Sequence, residues 1–212
     1  MVNYLTLLFF VINYSCAPIV HNRNDFNFKE GQIIDGIQTN GYYYAYNFSK
    51  NQDSKSITVR ILFKNGLYKQ IGVVSSESDS DYFKKRCNNI QNNTYESSFE
   101  NLECMIDNYD YFFKVKTNFV NKNAEIWDWG GFEIRGDRIK IQYFYNRFGD
   151  YYLIEEEGRV IDSQSFKMVS KYDYRNGIKE DLNITYFFKK YDVNNVLNYK
   201  PKKNTYTLST KP

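Results

Sequence analysis

Residues 57–71, ITVRILFKNGLYKQI, decide the fold of this chain. Apolar side chains occupy every second position of the first half, with Leu62 as the one exception, and this period of two predicts a half-buried β-strand. Asn65-Gly66 then precedes a second apolar run over 67–71. Both central residues of a two-residue hairpin turn need positive φ, so Asn-Gly between two such runs predicts an antiparallel hairpin. The alternating residues are Ile57, Val59, Ile61 and Phe63.

Strands with the same period recur along the rest of the chain. Gly136-Asp137 is a turn between strands over 131–135 and 138–145, and Asn40-Gly41 predicts a further turn before Tyr42. Three more strands are predicted over 151–161, 166–172 and 183–191. They are separated by a turn at Asp162-Ser163 and a polar loop over 173–181, and Gly158 marks a bulge in the first of them.

About eight strands joined mostly by tight turns predict a mainly β fold. Two-residue turns force neighbouring strands to be antiparallel, and eight such strands close into an up-and-down barrel without exposed edges. An open sheet or a sandwich is the alternative. An eight-stranded barrel is either filled by side chains or holds one small ligand.

A helical insertion over about 78–118 interrupts the strands. Ser97 and Glu100 have the spacing of a capping box, and apolar residues follow at helical steps on one face. A shorter helix precedes it, with Phe83, Cys87 and Ile90 on one side. Residues 111–115 are alternatively a strand. The apolar face of the longer helix comprises Phe99, Leu102, Ile106, Tyr109 and Phe113.

The N-terminus has the pattern of an export signal. Residues 5–12 are uncharged and apolar, but far short of the ~20 residues that span a bilayer. Ser15-Cys16 looks like the cleavage site of a bacterial lipoprotein. We therefore expect a signal peptide over 1–15, lipid on Cys16, a tether over 16–31, the barrel domain over 32–191 and a flexible tail over 192–212. An ordinary cleaved signal and a buried N-terminal strand are the alternatives.

Cys87 and Cys104 remain as a pair once Cys16 is assigned to lipid. In an oxidising compartment such a pair closes a disulfide, and the alternative is two free thiols. With His21 alone in the tether, the chain lacks the four ligands of a zinc site, and we expect no metal.

Charge and composition argue against several function classes. The 28 basic and 25 acidic residues give a net charge of +3, too balanced for nucleic-acid binding by the chain as a whole. The barrel domain has no histidine for a His-based triad, and no glycine-rich loop precedes a helix. We therefore expect neither enzymatic activity nor a cofactor.

Five residues are candidates for contact with a small ligand. Glu156 shares a strand face with Ile154; we expect a solvated or bulge-exposed carboxylate, and the alternative is an inward one with a raised pKa that orients a ligand. Trp129 is expected to plug one barrel end or to touch the ligand. The full candidate set is Ile61, Trp129, Tyr143, Glu156 and Phe188.

Several motifs resemble those of small uncharacterised lipoproteins of Bacteroidetes. They are TNGYYY (39–44), LFKNG (62–66), WGGFEIRGDRI (129–139) and EEEGRVIDSQSF (155–166), after a signal that ends at Cys16. The likeness covers roughly half of the chain, outside the helical insertion. It implies a lipocalin-like (calycin-like) barrel but no activity. From the lipoprotein signal we expect a lipid-anchored protein of the bacterial cell envelope, at the outer membrane.

Two functions follow as hypotheses. In the first, a membrane-anchored envelope lipoprotein holds a small apolar or amphipathic ligand in a hollow barrel. In the second, a filled barrel docks an envelope protein as its partner, which predicts a solid core and an exposed apolar patch on the insertion.

Overall fold

Eight antiparallel strands form a closed barrel in the described part of the chain. The computed structural model describes residues 35–48, 55–75, 86–87, 95–109, 129–147 and 150–199. Each strand pairs with its neighbours along the sequence, and β1 pairs with β8 to close the barrel. The predicted up-and-down barrel with a helical insertion is confirmed, and the open-sheet and sandwich alternatives are wrong. The strands are β1 (Gly41–Phe48), β2 (Lys55–Leu62), β3 (Leu67–Ser75), β4 (Trp129–Arg135), β5 (Arg138–Arg147), β6 (Asp150–Asp162), β7 (Ser165–Asp173) and β8 (Ile178–Lys190).

Tight turns join the strands where the sequence predicts them, with one exception. Gly66 has a φ of 81°, as the hairpin between β2 and β3 requires. Gly41 instead lies within β1 opposite Lys190, and the predicted Asn40-Gly41 turn is wrong. A Cβ on Gly41 would lie 2.1 Å from the carbonyl oxygen of Lys189, so glycine is needed for close approach of two strands.

Other strand boundaries differ little from the prediction. The polar loop after β7 is shorter than expected, because β8 already begins at Ile178. The predicted bulge is confirmed, since the pairing of β6 with β7 changes register between Glu157 and Gly158.

Two separate apolar clusters stabilise the fold. The first fills the barrel interior, and the second lies outside the barrel between the sheet and the helical elements. The interior cluster comprises Ile37, Tyr43, Ala45, Leu62, Tyr68, Phe132, Ile139, Ile141, Tyr143, Ile154, Phe166, Met168 and Tyr186. The outer cluster comprises Tyr42, Ile57, Val59, Ile61, Phe63, Leu67, Cys87, Leu102, Met105, Ile106, Tyr109, Trp129, Val193 and Val196.

Helix α1 (Tyr95–Asp107) packs against the outer face of β2 and β3. Leu102 and Ile106 of its apolar stripe are fully buried and Phe99 is partly buried, so the predicted amphipathic helix is confirmed. The helix begins at Tyr95, so the predicted capping box, with Ser97 as the N-cap, is wrong. Cys104 on this helix forms the predicted disulfide with Cys87, with a Cα–Cα distance of 6.0 Å. The shorter helix through Phe83 and Ile90, and the alternative strand over 111–115, lie outside the described residues.

The chain continues as ordered structure after β8. Helix α2 (Asn194–Leu197) places Val196 in the outer cluster, and Val193 beside it is also buried. The flexible tail expected from 192 onward is therefore wrong for 192–199, because two apolar side chains complete the cover over the sheet. Residues 200–212, Cys16, and the stretches expected to be a signal peptide (1–15) and a tether (16–31) lie outside the described residues. In the part of the chain that the structure describes, no helix has the length and apolar character needed to cross a bilayer.

Candidate functional site in the barrel interior

A buried ion pair crosses the barrel interior. Arg60 on β2 and Glu156 on β6 come from strands on opposite sides of the eight-stranded barrel. Nη1 of Arg60 donates to Oε2 of Glu156 at 2.6 Å, and Nη2 donates to Oε1 at 2.8 Å. The side chains are only 5% and 3% exposed, so both charges are removed from water.

Strand register explains why these two charges point inward. Arg60 lies opposite Tyr43 of β1, and Glu156 lies opposite Ile141 of β5, and both partners belong to the interior cluster. The expectation of a solvated or bulge-exposed Glu156 is therefore wrong. The alternative is correct that the Glu156 side chain points into the barrel, because the residue shares the face of Ile154.

Aromatic side chains surround the pair. The hydroxyl of Tyr143 donates to Oε1 of Glu156 at 2.8 Å. The guanidinium of Arg60 lies 4.4 Å from the ring centroid of Tyr186 and 5.9 Å from that of Tyr68, which are cation–π distances. The arginine thus has charge, hydrogen-bond and ring partners in one small volume.

This environment holds the Arg60 guanidinium charged and the Tyr143 phenol neutral. Burial alone would lower the pKa of the Arg60 guanidinium, but the Glu156 carboxylate, together with Tyr68 and Tyr186, outweighs burial and holds that pKa well above its ordinary value. Burial, followed by the Glu156 charge, raises the pKa of the Tyr143 phenol well above its ordinary value. Tyr143 therefore stays protonated and acts as a hydrogen-bond donor.

One polar atom in this region has no partner among the described residues. Nε of Arg60 is buried without a hydrogen bond, whereas buried polar groups are normally satisfied. It is the one guanidinium nitrogen that does not bond to Glu156. A small acceptor at this position would complete the arginine's hydrogen bonding.

The structure brings together three of the five candidate residues. Tyr143 and Glu156 are in direct contact, and Phe188 is partly buried against the same interior cluster, with its ring centroid 5.4 Å from that of Tyr43. Ile61 and Trp129 lie instead in the outer cluster.

The expectation that Ile61 contacts an interior ligand, and that Trp129 plugs one barrel end or touches that ligand, is wrong for one physical reason. The outer faces of β2 and β4, on which these two side chains lie, are covered by other parts of the chain, so an apolar side chain there need not point into the barrel. Trp129 stacks on Phe63 with ring centroids 6.1 Å apart, in the outer cluster.

Arg60, Tyr68 and Tyr186 belong to the site but were not singled out from the sequence. Arg60 lies on the polar side of a strand that was expected to be half solvated. The sequence signal that indicates a buried position for Arg60 is Leu62, the apolar exception to the alternation. It shares the face of Arg60 and lies inside the barrel.

The neighbours of Glu156 face outward and form a separate network. Glu155 accepts a hydrogen bond from Lys140 at 2.9 Å, and Glu157 pairs with the same lysine at 3.1 Å. The acidic run over 155–157 therefore divides between the two faces of β6, with Glu155 and Glu157 outside around Lys140 and Glu156 alone inside the barrel. Within the described ranges, no group of three His, Cys, Asp or Glu side chains is arranged to hold a metal ion.

No protein family, curated protein or solved structure matches this chain. The features that bear on function are therefore those of the barrel itself: the interior pair, the aromatic rings around it and the outer faces of the strands.

Proposed function

We propose that this chain is a non-enzymatic, lipid-anchored protein of the bacterial cell envelope whose filled barrel docks an envelope partner. The observation that carries the proposal is the Arg60–Glu156 pair closed across a barrel interior packed with large side chains. Tyr43, Tyr68 and Phe166 are each fully buried there. A barrel of eight strands is just wide enough to be filled in this way.

A ligand inside this barrel would have to displace well-packed groups. The charged atoms of Arg60 and Glu156 bond to each other, and separating a buried pair costs about 3–5 kcal/mol. The interior charges thus stabilise the scaffold, which favours a function at the outer surface.

The same geometry supports a function without catalysis. Both oxygens of Glu156 accept hydrogen bonds, so the carboxylate is not free to act as a general base. Tyr143 keeps its proton because burial raises its pKa, so it is a poor nucleophile. Neither group is poised for reaction with a substrate.

The anchoring part of the proposal depends on the N-terminal sequence. The short apolar run over 5–12 and the Ser15-Cys16 pair resemble a lipoprotein signal, and the resemblance favours the outer membrane. The Cys87–Cys104 disulfide is in keeping with an oxidising compartment outside the cytoplasm.

An aromatic patch beside the insertion supports docking. Tyr44 lies edge-to-face on Phe99 of α1, with ring centroids 4.8 Å apart. Tyr46 and Phe187, which neighbour Tyr44, are 40% and 44% exposed. The apolar stripe of α1 itself is buried, so this patch at its edge is the docking surface that we propose.

A second candidate function is the binding of a small amphipathic ligand inside the barrel. The observation that favours it is the unpartnered Nε of Arg60, which is placed to donate to a polar atom of such a guest. The apolar part of the ligand would then contact rings such as Tyr186 and Phe188.

Intact-mass measurement of the protein from bacterial membranes tests the anchor. We expect a chain that begins at Cys16 and carries a lipid adduct, with no adduct on a Cys16→Ser variant. An unmodified N-terminus would contradict the anchoring.

Native mass spectrometry of the same sample tests whether the barrel interior holds a ligand. A stoichiometric guest that is lost in Glu156→Gln would favour the second candidate.

Photo-cross-linking in cells tests docking. A photoreactive residue at Phe187 is expected to give one discrete protein adduct. The matched control is Ile178, which is 52% exposed but lies outside the aromatic patch. Equal labelling from both positions, or none from Phe187, would contradict docking through this patch.

A further inference from the structure

Four basic residues lie side by side on the outer face of the barrel, in what we call the cationic row. Arg135 of β4 is directly opposite Arg138 of β5, and Arg138 is directly opposite Arg159 of β6. Arg159 in turn is opposite Lys167 of β7. Positive charges thus follow one another across four adjacent strands.

Such an arrangement is unfavourable without an anion. Like charges directly opposite each other on neighbouring strands destabilise a sheet. Among the described residues, Arg135 is the member of the row with an ion pair, to Glu133 at 3.0 Å. Lys140, two residues after Arg138 on the same face of β5, by contrast forms ion pairs with two glutamates. Arg138 and Arg159 are both exposed, and their charge is available to an outside partner.

The row borders an open cleft of about 450 Å³. The three arginines of the row and Val169 line this cleft, together with Glu133, which pairs with Arg135, and Glu157, which pairs with Lys140. Val169 is 39% exposed, and Ile161, two residues beyond Arg159 on β6, is 58% exposed. Guanidinium groups flanked by exposed aliphatic side chains suit a surface that presents phosphate groups above an apolar layer.

The N-terminal segment joins β1 at the end of the barrel that carries the cationic row. The backbone N–H of Gln38 donates to the carbonyl oxygen of Ser163 at 2.8 Å, in the turn between β6 and β7. Arg135 and Arg138 directly flank the turn between β4 and β5, and Arg159 and Lys167 each lie four residues from Ser163 on the strands that the β6–β7 turn joins. The chain that leads back toward Cys16 therefore starts at the same end of the barrel as the cationic row.

We propose that the cationic row docks the barrel on the phosphate-bearing surface of an anionic lipid bilayer. The orientation, with the β4–β5 and β6–β7 turns toward the membrane, extends the anchoring proposed above. The charge contact itself does not require an acyl chain. Each arginine near such a surface contributes attraction that salt weakens.

Vesicle binding by the full chain carrying Cys16→Ser tests this inference without lipidation. We expect binding to vesicles of phosphatidylethanolamine and phosphatidylglycerol, and little binding to phosphatidylcholine vesicles. Arg138→Gln with Arg159→Gln should lower the partition constant roughly 30-fold. The matched control, Lys171→Gln with Lys179→Gln, removes the same two charges from a net charge of +3 but lies near the opposite end of the barrel.

Three outcomes would overturn the inference. Equal loss in the two double variants would mean that net charge alone drives binding. Equal binding to anionic and neutral vesicles would exclude recognition of phosphate charge. Binding of free inorganic phosphate that depends on Arg138 and Arg159, with no binding to vesicles, would mean an anion site instead of a membrane surface. If the wild-type protein carries no acyl chain, only the proposed lipid anchor is refuted, because the vesicle assays use the Cys16→Ser chain, which cannot be lipidated.

Discussion

Arg60 and Glu156 stabilise the barrel only as a pair. Arg60→Met alone is expected to lower the free energy of unfolding by about 3–5 kcal/mol, because it leaves a carboxylate buried without its partner. Arg60→Met combined with Glu156→Leu should recover most of this loss, since apolar groups of similar volume replace both charges. Denaturant unfolding of the two single variants and the double variant measures the coupling.

An exposed ion pair gives the matched control for this cycle. Arg135 and Glu133 lie 3.0 Å apart, but the arginine side chain is 81% exposed. Arg135→Gln should therefore change the free energy of unfolding by less than about 1 kcal/mol. If the loss of unfolding free energy in the double variant equals the sum of the losses in the two single variants, Arg60 and Glu156 are not coupled.

Tyr143 makes the stability depend on alkaline pH. Below its ordinary pKa of about 10 the phenol is protonated in both the folded and the unfolded state. Above that pH the unfolded chain releases the proton, while burial beside Glu156 raises the pKa of the folded state and retains it. The contribution of this phenol is thus complete below about pH 10 and is lost as the pH rises toward the folded-state pKa.

Tyr143→Phe removes this titration and tests its sign. Between about pH 9 and about pH 11, the wild type should lose about 1.4 kcal/mol more of its free energy of unfolding than the variant does. Urea unfolding at the two pH values, with Tyr42 and Tyr43 present in both chains, isolates the effect. Parallel losses would show that Tyr143 titrates alike in both states.

Strand β2 shows how far the sequence predicts an element. Its period of two and the Asn65-Gly66 turn correctly predict a strand in a hairpin. The pattern cannot distinguish the inside of a barrel from an outside that a helix covers, because both faces exclude water. Ile61 was therefore expected inside but lies under α1, while Arg60 was expected at the surface but lies inside.

The Cys87–Cys104 disulfide fixes α1 to the preceding segment of the chain. The two residues are separated by 17 positions, and closing a loop of this length stabilises the folded state by about 3 kcal/mol. Reduction of the wild type should therefore lower the free energy of unfolding by about that amount. The control is Cys87→Ser with Cys104→Ser, which should be insensitive to reductant; equal stability of the reduced and oxidised wild type would contradict the prediction.

The barrel as a whole was predictable because its cues are local. Turn residues and alternation recur through the chain, and each needs only a few neighbours. The interior pair was not, since Arg60 and Glu156 are 96 residues apart and meet only after the barrel closes. The same holds for Val196, which joins the outer cluster from beyond the last strand.

Closure of the barrel depends on a short contact between its first and last strands. β1 and β8 pair at four positions, Gly41 to Tyr44, and a Cβ on Gly41 would meet the Lys189 carbonyl oxygen at 2.1 Å. Gly41→Ala must therefore displace backbone at this seam, and we expect a loss of about 1–3 kcal/mol in the free energy of unfolding.

Amide hydrogen exchange locates the effect of Gly41→Ala. Amides of β1 and β8 should exchange faster in the variant, while those of β5 and β6, on the other side of the barrel, should change little. Asn40→Ala, at the exposed neighbouring position, is the control, because it adds no volume at the seam. Uniform acceleration in all strands would mean that the barrel opens as one unit, and unchanged exchange would mean that the seam accommodates the methyl group.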